Sequence, residues 1–231
     1  MELIINFSGG KDSSAMLAYL CEKYPEIKKH VVFADTGWEH KDAEAWCRQI
    51  VSSFGLELHV VRNKNKTLLT MAEQRGKFPG MQQRQCTSDL KRDPIASWIR
   101  NNVKDKLIIN CLGIRSEESS GRKKQRKLKR NNRETNSMRT IWDWAPIKDW
   151  TEKQVLEYLE QKGIPLHPVY KYLHRFSCRV CIFMQEHEIK AVSENDPEAI
   201  DIISNVERRI NFHMTQSGFI DEIIKRQAIV A

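Results

Sequence analysis

The stretch Glu2-Leu3-Ile4-Ile5-Asn6-Phe7-Ser8-Gly9-Gly10-Lys11-Asp12-Ser13-Ser14 opens on an apolar run and passes directly into two glycines, a lysine, an aspartate and serines. The apolar residues read as a buried strand. Paired glycines then let consecutive amide groups close on an anion. Ala15, Met16, Leu17, Ala18 and Leu20 suit a helix whose positive N-terminal end faces the same anion. Lys11 adds a mobile positive charge, Asp12 is a candidate Mg²⁺ ligand, and Ser8, Ser13 and Ser14 offer hydroxyl donors. The stretch reads as a strand, a phosphate-holding loop and a helix. Its spacing is not that of the Walker loop, which ends in Gly-Lys-Ser/Thr after a wider gap.

Beyond this stretch the alternation continues. Val31-Val32-Phe33-Ala34 reads as a second strand, ending in Asp35-Thr36-Gly37. Ligands of a parallel sheet gather at the carboxyl ends of its strands, so Asp35 is a candidate partner for ribose hydroxyls, or else a helix N-cap. Residues 41–54 have helical spacing closed by Gly55, residues 56–61 alternate as a third strand, and 67–74 form a short helix. A helix follows Cys86 to about residue 101, with Cys86 just before its N-terminus, where the dipole favours a thiolate. A buried strand over 107–112 then delivers Gly113, Ile114 and Arg115 to the crevice, with Arg115 a candidate phosphate clamp or a surface ion pair. Thr151 caps a helix carrying Val155, Leu156 and Leu159 on one face. Residues 163–170 form a rigid connector to Ser177-Cys178-Arg179-Val180-Cys181, and the remainder is helical, with Asp196-Pro197 starting a helix. The grammar is α/β: a Rossmann-like doubly wound parallel sheet with a C-terminal helical extension.

The chain has 231 residues and a net charge of +8, enough for one α/β domain with an extension. No apolar run is long enough to span a membrane and no signal region opens the chain, so a cytoplasmic protein is expected. Arg122, Lys123, Lys124, Arg126, Lys127, Lys129, Arg130 and Arg133 follow one another with no acid between them. Residues 122–133 therefore form either a solvated loop or a contact for nucleic acid, partly disordered until bound. Six cysteines in such a chain argue for buried or metal-bound thiols over disulfides. Cys21, Cys47 and Cys111 fall within apolar patterns, which leaves Cys86, Cys178 and Cys181 as candidate ligands.

Taken in order, the string 8–13, Asp35-Thr36-Gly37, Cys86-Thr87-Ser88-Asp89-Leu90-Lys91, Gly113-Ile114-Arg115-Ser116-Glu117-Glu118-Ser119, Pro146-Ile147-Lys148-Asp149-Trp150 and Cys178-Arg179-Val180-Cys181 resembles the phosphoadenosine phosphosulfate reductase family. That family lies in the adenine-nucleotide alpha hydrolase, or N-type ATP pyrophosphatase, superfamily. The resemblance covers about residues 1–185 and implies a nucleotide-binding domain over 1–175, with the Cys-x-x-Cys segment and helical extension over 176–231. It implies ATP with Mg²⁺ as the nucleotide, held by Ser8, Gly9, Gly10, Lys11, Asp12, Ser13, Asp35, Gly113 and Arg115, with Lys11, Asp12 and Arg115 in catalytic roles. It further implies three cysteine ligands, Cys86, Cys178 and Cys181, to a [4Fe-4S] cluster. Zinc completed by His174, His187 or Cys111, and unmetallated thiols, stay open as alternatives.

Within the family the resemblance divides. Sulfonucleotide reductases attack sulfur with a cysteine of a C-terminal Glu-Cys-Gly motif, whereas the last cysteine here is Cys181. The cluster-bearing members carry an adjacent Cys-Cys pair where this chain has Gln85-Cys86. Their phosphate loop is also commonly degenerate, whereas this one is intact. The closer resemblance is to the ATP pyrophosphatases of DNA phosphorothioation, which implies adenylation of an acceptor, nucleic acid as partner through 122–133, and a cysteine desulfurase or other sulfur donor. A reductase borrowing its thiol, and a nucleotide-binding module without chemistry, are the alternatives.

Overall fold

The computed structural model describes residues 1–176 and 178–230, so Ser177 of the Cys178 string and Ala231 of the expected helical tail lie outside the described residues. The N-terminal apolar run forms β1 (Glu2–Phe7) and the loop after it feeds α1 (Lys11–Lys23). The alternation continues through β2 (Lys29–Asp35), α2 (Ala43–Ser52), β3 (Leu58–Arg62) and α3 (Leu68–Arg75). A helical run follows as α4 (Gln85–Thr87), a π-turn at Ser88–Arg92 and α5 (Asp93–Asn102). Next come β4 (Leu107–Leu112), α6 (Ser120–Lys124), β5 (Leu128–Arg130), β6 (Thr140–Trp144) and α7 (Glu152–Gln161). The chain closes on α8 (Glu186–Asn195), α9 (Pro197–Ile210) and α10 (Ile220–Val230).

The sheet order is β3-β2-β1-β4-β6-β5. β1 lies parallel to β2 and to β4, β4 is parallel to β6, and β5 returns antiparallel at the edge. The chain winds outward from β1 to β3, then restarts on the other side of β1 with β4. That reversal makes the β1/β4 boundary the switch point, where such sheets bind ligands. Leu3, Ile4 and Ile5 are all buried, as a strand covered on both faces requires. On one face Ile95 and Ile99 of α5, with Val103, pack over Ile4, Val32, Ile108 and Ile141.

Two features correct the sequence reading. The basic stretch is ordered: it holds α6 and β5, and β5 pairs with β6 through Leu128↔Trp144 to Arg130↔Trp142. The sequence concealed both strands, because β5 carries Lys and Arg on exposed positions and β6 is rich in tryptophan, so neither alternates cleanly. Cys86 lies inside the first helical turn, between Gln85 and Thr87, and not before it.

By its internal contacts the chain forms two units that interleave in sequence, where the expected division fell at 175/176. One comprises residues 1–34, 42–61 and 95–167 and contains the switch point. The other comprises 35–41, 62–94 and 168–231. In the second unit α3 packs on α9, and α8, α9 and α10 pack on one another. Glu207 of α9 is buried there, and its two carboxylate oxygens accept the amides of Met214 (2.6 Å) and Ile220 (2.8 Å), tying the α9–α10 connection to the helix. Among the described residues no helix is long and apolar enough to cross a membrane.

Candidate functional site

At the switch point, Gly9 takes φ of 75°, a left-handed conformation closed to most residues, and the indole of Trp46 donates to its carbonyl at 3.0 Å. Gly10 is the N-cap of α1 and offers no side chain to its first-turn amides. Ser13 is turned inward. Its hydroxyl donates to the Gly10 carbonyl (2.9 Å), accepts the Ser8 amide (3.2 Å) and meets the Ser8 hydroxyl at 3.2 Å. The serine expected to hold a ligand therefore braces the loop that would hold it.

Lys11 is only 7% exposed, and its ammonium lies 3.0 Å from Glu152 at the start of α7. Arg115 is 4% exposed; its Nε bonds Asp12 Oδ1 at 2.5 Å and a terminal nitrogen bonds Glu117 Oε2 at 2.6 Å. Its backbone amide donates to Glu118 Oε1 at 2.7 Å, and Glu118 in turn pairs with Arg122. Burial raises the Asp12 carboxyl above its ordinary value, with the guanidinium of Arg115 pulling the other way. Gly113 brings the exit of β4 against α1: a Cβ there would stand 3.0 Å from Ser13 Cα and 3.2 Å from its nitrogen. Both switch-point loops are thus fastened together by one close backbone approach and one ion pair. Glu117 and Glu118 stand inside the 113–119 motif but carried no role in the sequence reading, and Glu152 was not named; their signal was position, two in the loop after β4 and one just after the Thr151 cap.

A ladder of polar side chains crosses the same sheet. Asn6 donates to Asn110 at 2.7 Å, Asn110 to Asp143 at 2.8 Å, and Asn131 to the same Asp143 oxygen at 3.0 Å. It joins β1, β4 and β6 side by side and fixes their register.

In the second unit Asp35 is engaged. One carboxylate oxygen accepts the Gly37 amide at 2.7 Å and the other meets Arg62 Nε at 2.7 Å. It is not a helix cap; Asp42 occupies that position before α2.

The same unit gathers Cys86, Cys178 and Cys181 about Lys91 and Glu39. The Lys91 ammonium stands 3.1 Å from Glu39 Oε1, which also accepts the Thr36 hydroxyl at 2.9 Å and lies 4.0 Å from the Cys178 sulfur. A β-bridge between Glu39 and Cys178, a hydrogen bond from the Arg179 amide to the Trp38 carbonyl (3.1 Å), and one from the Trp38 indole to the Val180 carbonyl (3.1 Å) hold the two segments together. Burial pushes the Cys178 thiol well above its usual range and raises Cys181 also. Burial works against the Lys91 ammonium, but Glu39 and the nearby thiols hold its pKa above the ordinary value. Three cysteine sulfurs are the donor type of a three-cysteine iron–sulfur cluster, or of a zinc ion that finds a fourth ligand, but among the described residues they do not close to a metal-sized group, and the Lys91 ammonium stands among them. Of the possible fourth ligands, His174 and His187 line a hollow with Cys181, whereas Cys111 is buried within β4, its thiol pushed up by burial.

Residues 2–176 match the family model described as the phosphoadenosine phosphosulfate reductase domain. A 37.8 kDa protein of Escherichia phage 186, uncharacterized, is 23% identical over 262 residues, covering 90% of this chain and 75% of its own. An uncharacterized protein of Methanocaldococcus jannaschii is 26% identical over 208 residues, with 90% of this chain covered. This chain spans 48% of that relative's length. Among solved structures, phosphoadenylyl-sulfate reductase from Candida auris superposes with a TM-score of 0.52 at 15% identity, covering 74% of this chain and 77% of that one. FMN adenylyltransferase from Candida glabrata, in complex with FMN and an ATP analogue, gives 0.51 at 17% identity, covering 74% of this chain and 52% of that one. The U34-tRNA thiolase NcsA of Methanococcus maripaludis, with its [4Fe-4S] cluster, gives 0.51 at 16% identity, covering 100% and 72%. At these identities the structural likeness is one of fold.

Proposed function

Because the chain belongs to the phosphoadenosine phosphosulfate reductase domain family, we propose that it is an ATP pyrophosphatase that adenylates an acceptor in nucleic acid and so prepares it for sulfur insertion. The observation that carries this reading is the intact loop 8–13 at the β1/β4 switch point, with Lys11 on its helix and Asp12 joined to Arg115 at 2.5 Å. The phosphates of ATP lie on the amides of the loop and the first turn of α1, the arrangement in which backbone donors and the helix dipole both favour an anion. Lys11 exchanges Glu152 for phosphate. Asp12 is the carboxylate through which Mg²⁺ would be held, and Arg115, already fixed by Glu117, stands beside it to meet charge on the departing group. Asp35 takes the ribose role only by releasing Arg62.

The acceptor oxygen attacks the α-phosphorus; the bond from phosphorus to the bridging oxygen of the β-phosphate breaks, and pyrophosphate leaves. A hydrosulfide, freed from the persulfide of a sulfur donor such as a cysteine desulfurase by a reducing thiol that ends in a disulfide, then bonds the acceptor atom, and AMP departs with the oxygen. A cluster on which Cys86, Cys178 and Cys181 closed would supply an iron able to carry that hydrosulfide. The thiolase likeness supports this reading only as a shared fold that accommodates thiolation chemistry. The family match also favours a second reading, reduction of an adenylyl sulfate, which needs a nucleophilic thiol from a partner.

The test is pyrophosphate release from ATP and Mg²⁺ by anaerobically purified protein, with and without single-stranded and duplex nucleic acid, beside Asp12→Ala. Release that requires Asp12 and rises with nucleic acid is the expected result. Reduction of an adenylyl sulfate with no pyrophosphate under any condition overturns it.

A further inference from the structure

The second unit has a hollow of about 450 Å³ beside the Cys181 thiol that the adenylation chemistry does not use. Its wall is built by a tight turn. The Met184 amide returns to the Cys181 carbonyl at 2.9 Å, and the Cys181 amide meets the Met184 sulfur at 3.4 Å, so Phe183 is presented next to the thiol. The imidazoles of His174 and His187, ring centres 6.2 Å apart, line the same hollow, together with Arg175, Gln185 and the carboxylate of Glu188. One face of the Phe183 ring is covered by the Arg84 guanidinium, 4.6 Å from its centre. Arg84 also lines a second hollow of about 450 Å³ with Arg92, Gln83, Gln85 and Ser88, all polar or charged residues. The Arg84–Phe183 stack is therefore the common wall of an aromatic hollow and a cationic, donor-rich one.

From that juxtaposition we infer that the two hollows hold one unpaired nucleotide of the acceptor strand: its base in the aromatic hollow beside Cys181, its flanking phosphate on Arg84 and Arg92. The inference rests on the proposed function and names where its substrate sits. Bases taken out of a duplex stack on aromatic, imidazole and guanidinium planes and are read at their edges by amides. The aromatic hollow offers those groups. Arginine guanidinium groups and amide donors together suit phosphate oxygens. The volume falls in the range of about 300–1,000 Å³ typical of small-molecule sites, room for a nucleotide and not for a helix. A site serving only a small sulfur anion would need neither the stacking planes nor the second hollow.

The test cross-links the full chain, purified anaerobically, to a single-stranded oligonucleotide carrying a photoreactive thio-substituted base, and maps the attached peptide by mass spectrometry. Attachment within residues 174–188 is expected, falling at least ten-fold in His187→Ala and in Phe183→Leu. The first changes an exposed position and the second keeps an apolar side chain under Arg84, so a folding failure in one leaves the other as the test. Excess nucleoside monophosphate that abolishes the cross-link identifies a free nucleotide as sufficient; persistence of the cross-link identifies the polynucleotide as the source. Attachment only within 122–133, or none, overturns the inference. Asp12-dependent pyrophosphate release stimulated by nucleic acid without attachment at 174–188 removes this site and leaves the proposed function standing. Attachment there without any pyrophosphate release does the reverse.

Discussion

Arg115 is the residue on which the switch-point site turns, because it is buried and serves two carboxylates at once. Truncating one partner of a buried ion pair leaves the other charge uncompensated, a loss of about 3–5 kcal/mol. Arg115→Ala should therefore lower the unfolding free energy from denaturant melts by that order and slow pyrophosphate release by about 10²-fold, the scale for removing one transition-state donor. Arg115→Lys should recover part of the stability but little of the rate, since an ammonium cannot span Asp12 and Glu117 as the fork does. Equal recovery of both would show that only charge matters. Glu207 tests burial apart from chemistry. Burial raises its carboxyl above the ordinary value of 4.5, against the pull of the Met214 and Ile220 amides. The folded chain then keeps a proton that the unfolded chain has released. Its contribution is fully present below 4.5 and is lost as pH rises through the folded value. Glu207→Gln leaves one amide facing another, so below pH 4.5 the variant should be less stable by roughly 1–3 kcal/mol. The gap should narrow as pH rises; parallel stability curves from urea melts would refute the assignment.

Among the elements, the β4 exit is set by Gly113, whose missing side chain lets the strand end lie on Ser13. In Gly113→Ala the new carbon meets backbone, which cannot swing aside as a flexible side chain does. A loss of about 1–3 kcal/mol, typical of overpacking, should accompany weaker ATP binding by calorimetry. Unchanged affinity would mean that the two loops need not touch. The edge strand β5 poses a different question, because lysines on an edge also prevent strand-to-strand aggregation. If the stretch binds single-stranded nucleic acid, neutralising Lys123, Lys124 or Lys129 should flatten the log–log salt dependence by about 0.7 for each phosphate no longer neutralised. Lys127 is paired with Asp149 at 2.7 Å and should contribute less. Salt slopes identical to the parent would assign the charge to edge protection alone. These elements also show why part of the fold was legible in sequence and part was not. β1, β2 and β4 are continuous apolar runs and announced themselves, as did the Thr151 cap and the Asp196-Pro197 helix start. β5 and β6 owe their strand form to pairing with distant residues, and no local periodicity reports that.

Across the molecule, the legible part of the candidate site is the part written in short strings. The loop 8–13 and the Cys-x-x-Cys pair each sit within a few residues, and the structure places Asp12 against Arg115 as two strand ends at one switch point require. The Lys91–Glu39 ion pair among the thiols was hidden, although Lys91 stood inside a quoted motif, since pairing between distant segments leaves no spacing to read. So was the inward turn of Ser13, which only the loop's own hydrogen bonds reveal. If the loop directs attack to the α-phosphorus, the fate of that phosphorus decides the matter. The decisive measurement incubates the protein with ATP labelled in its α-phosphate, Mg²⁺ and nucleic acid, and separates the labelled products. Label in AMP or in adenylated nucleic acid, matched by pyrophosphate and absent in Asp12→Ala, is the predicted result; label in ADP, matched by inorganic phosphate, would contradict it.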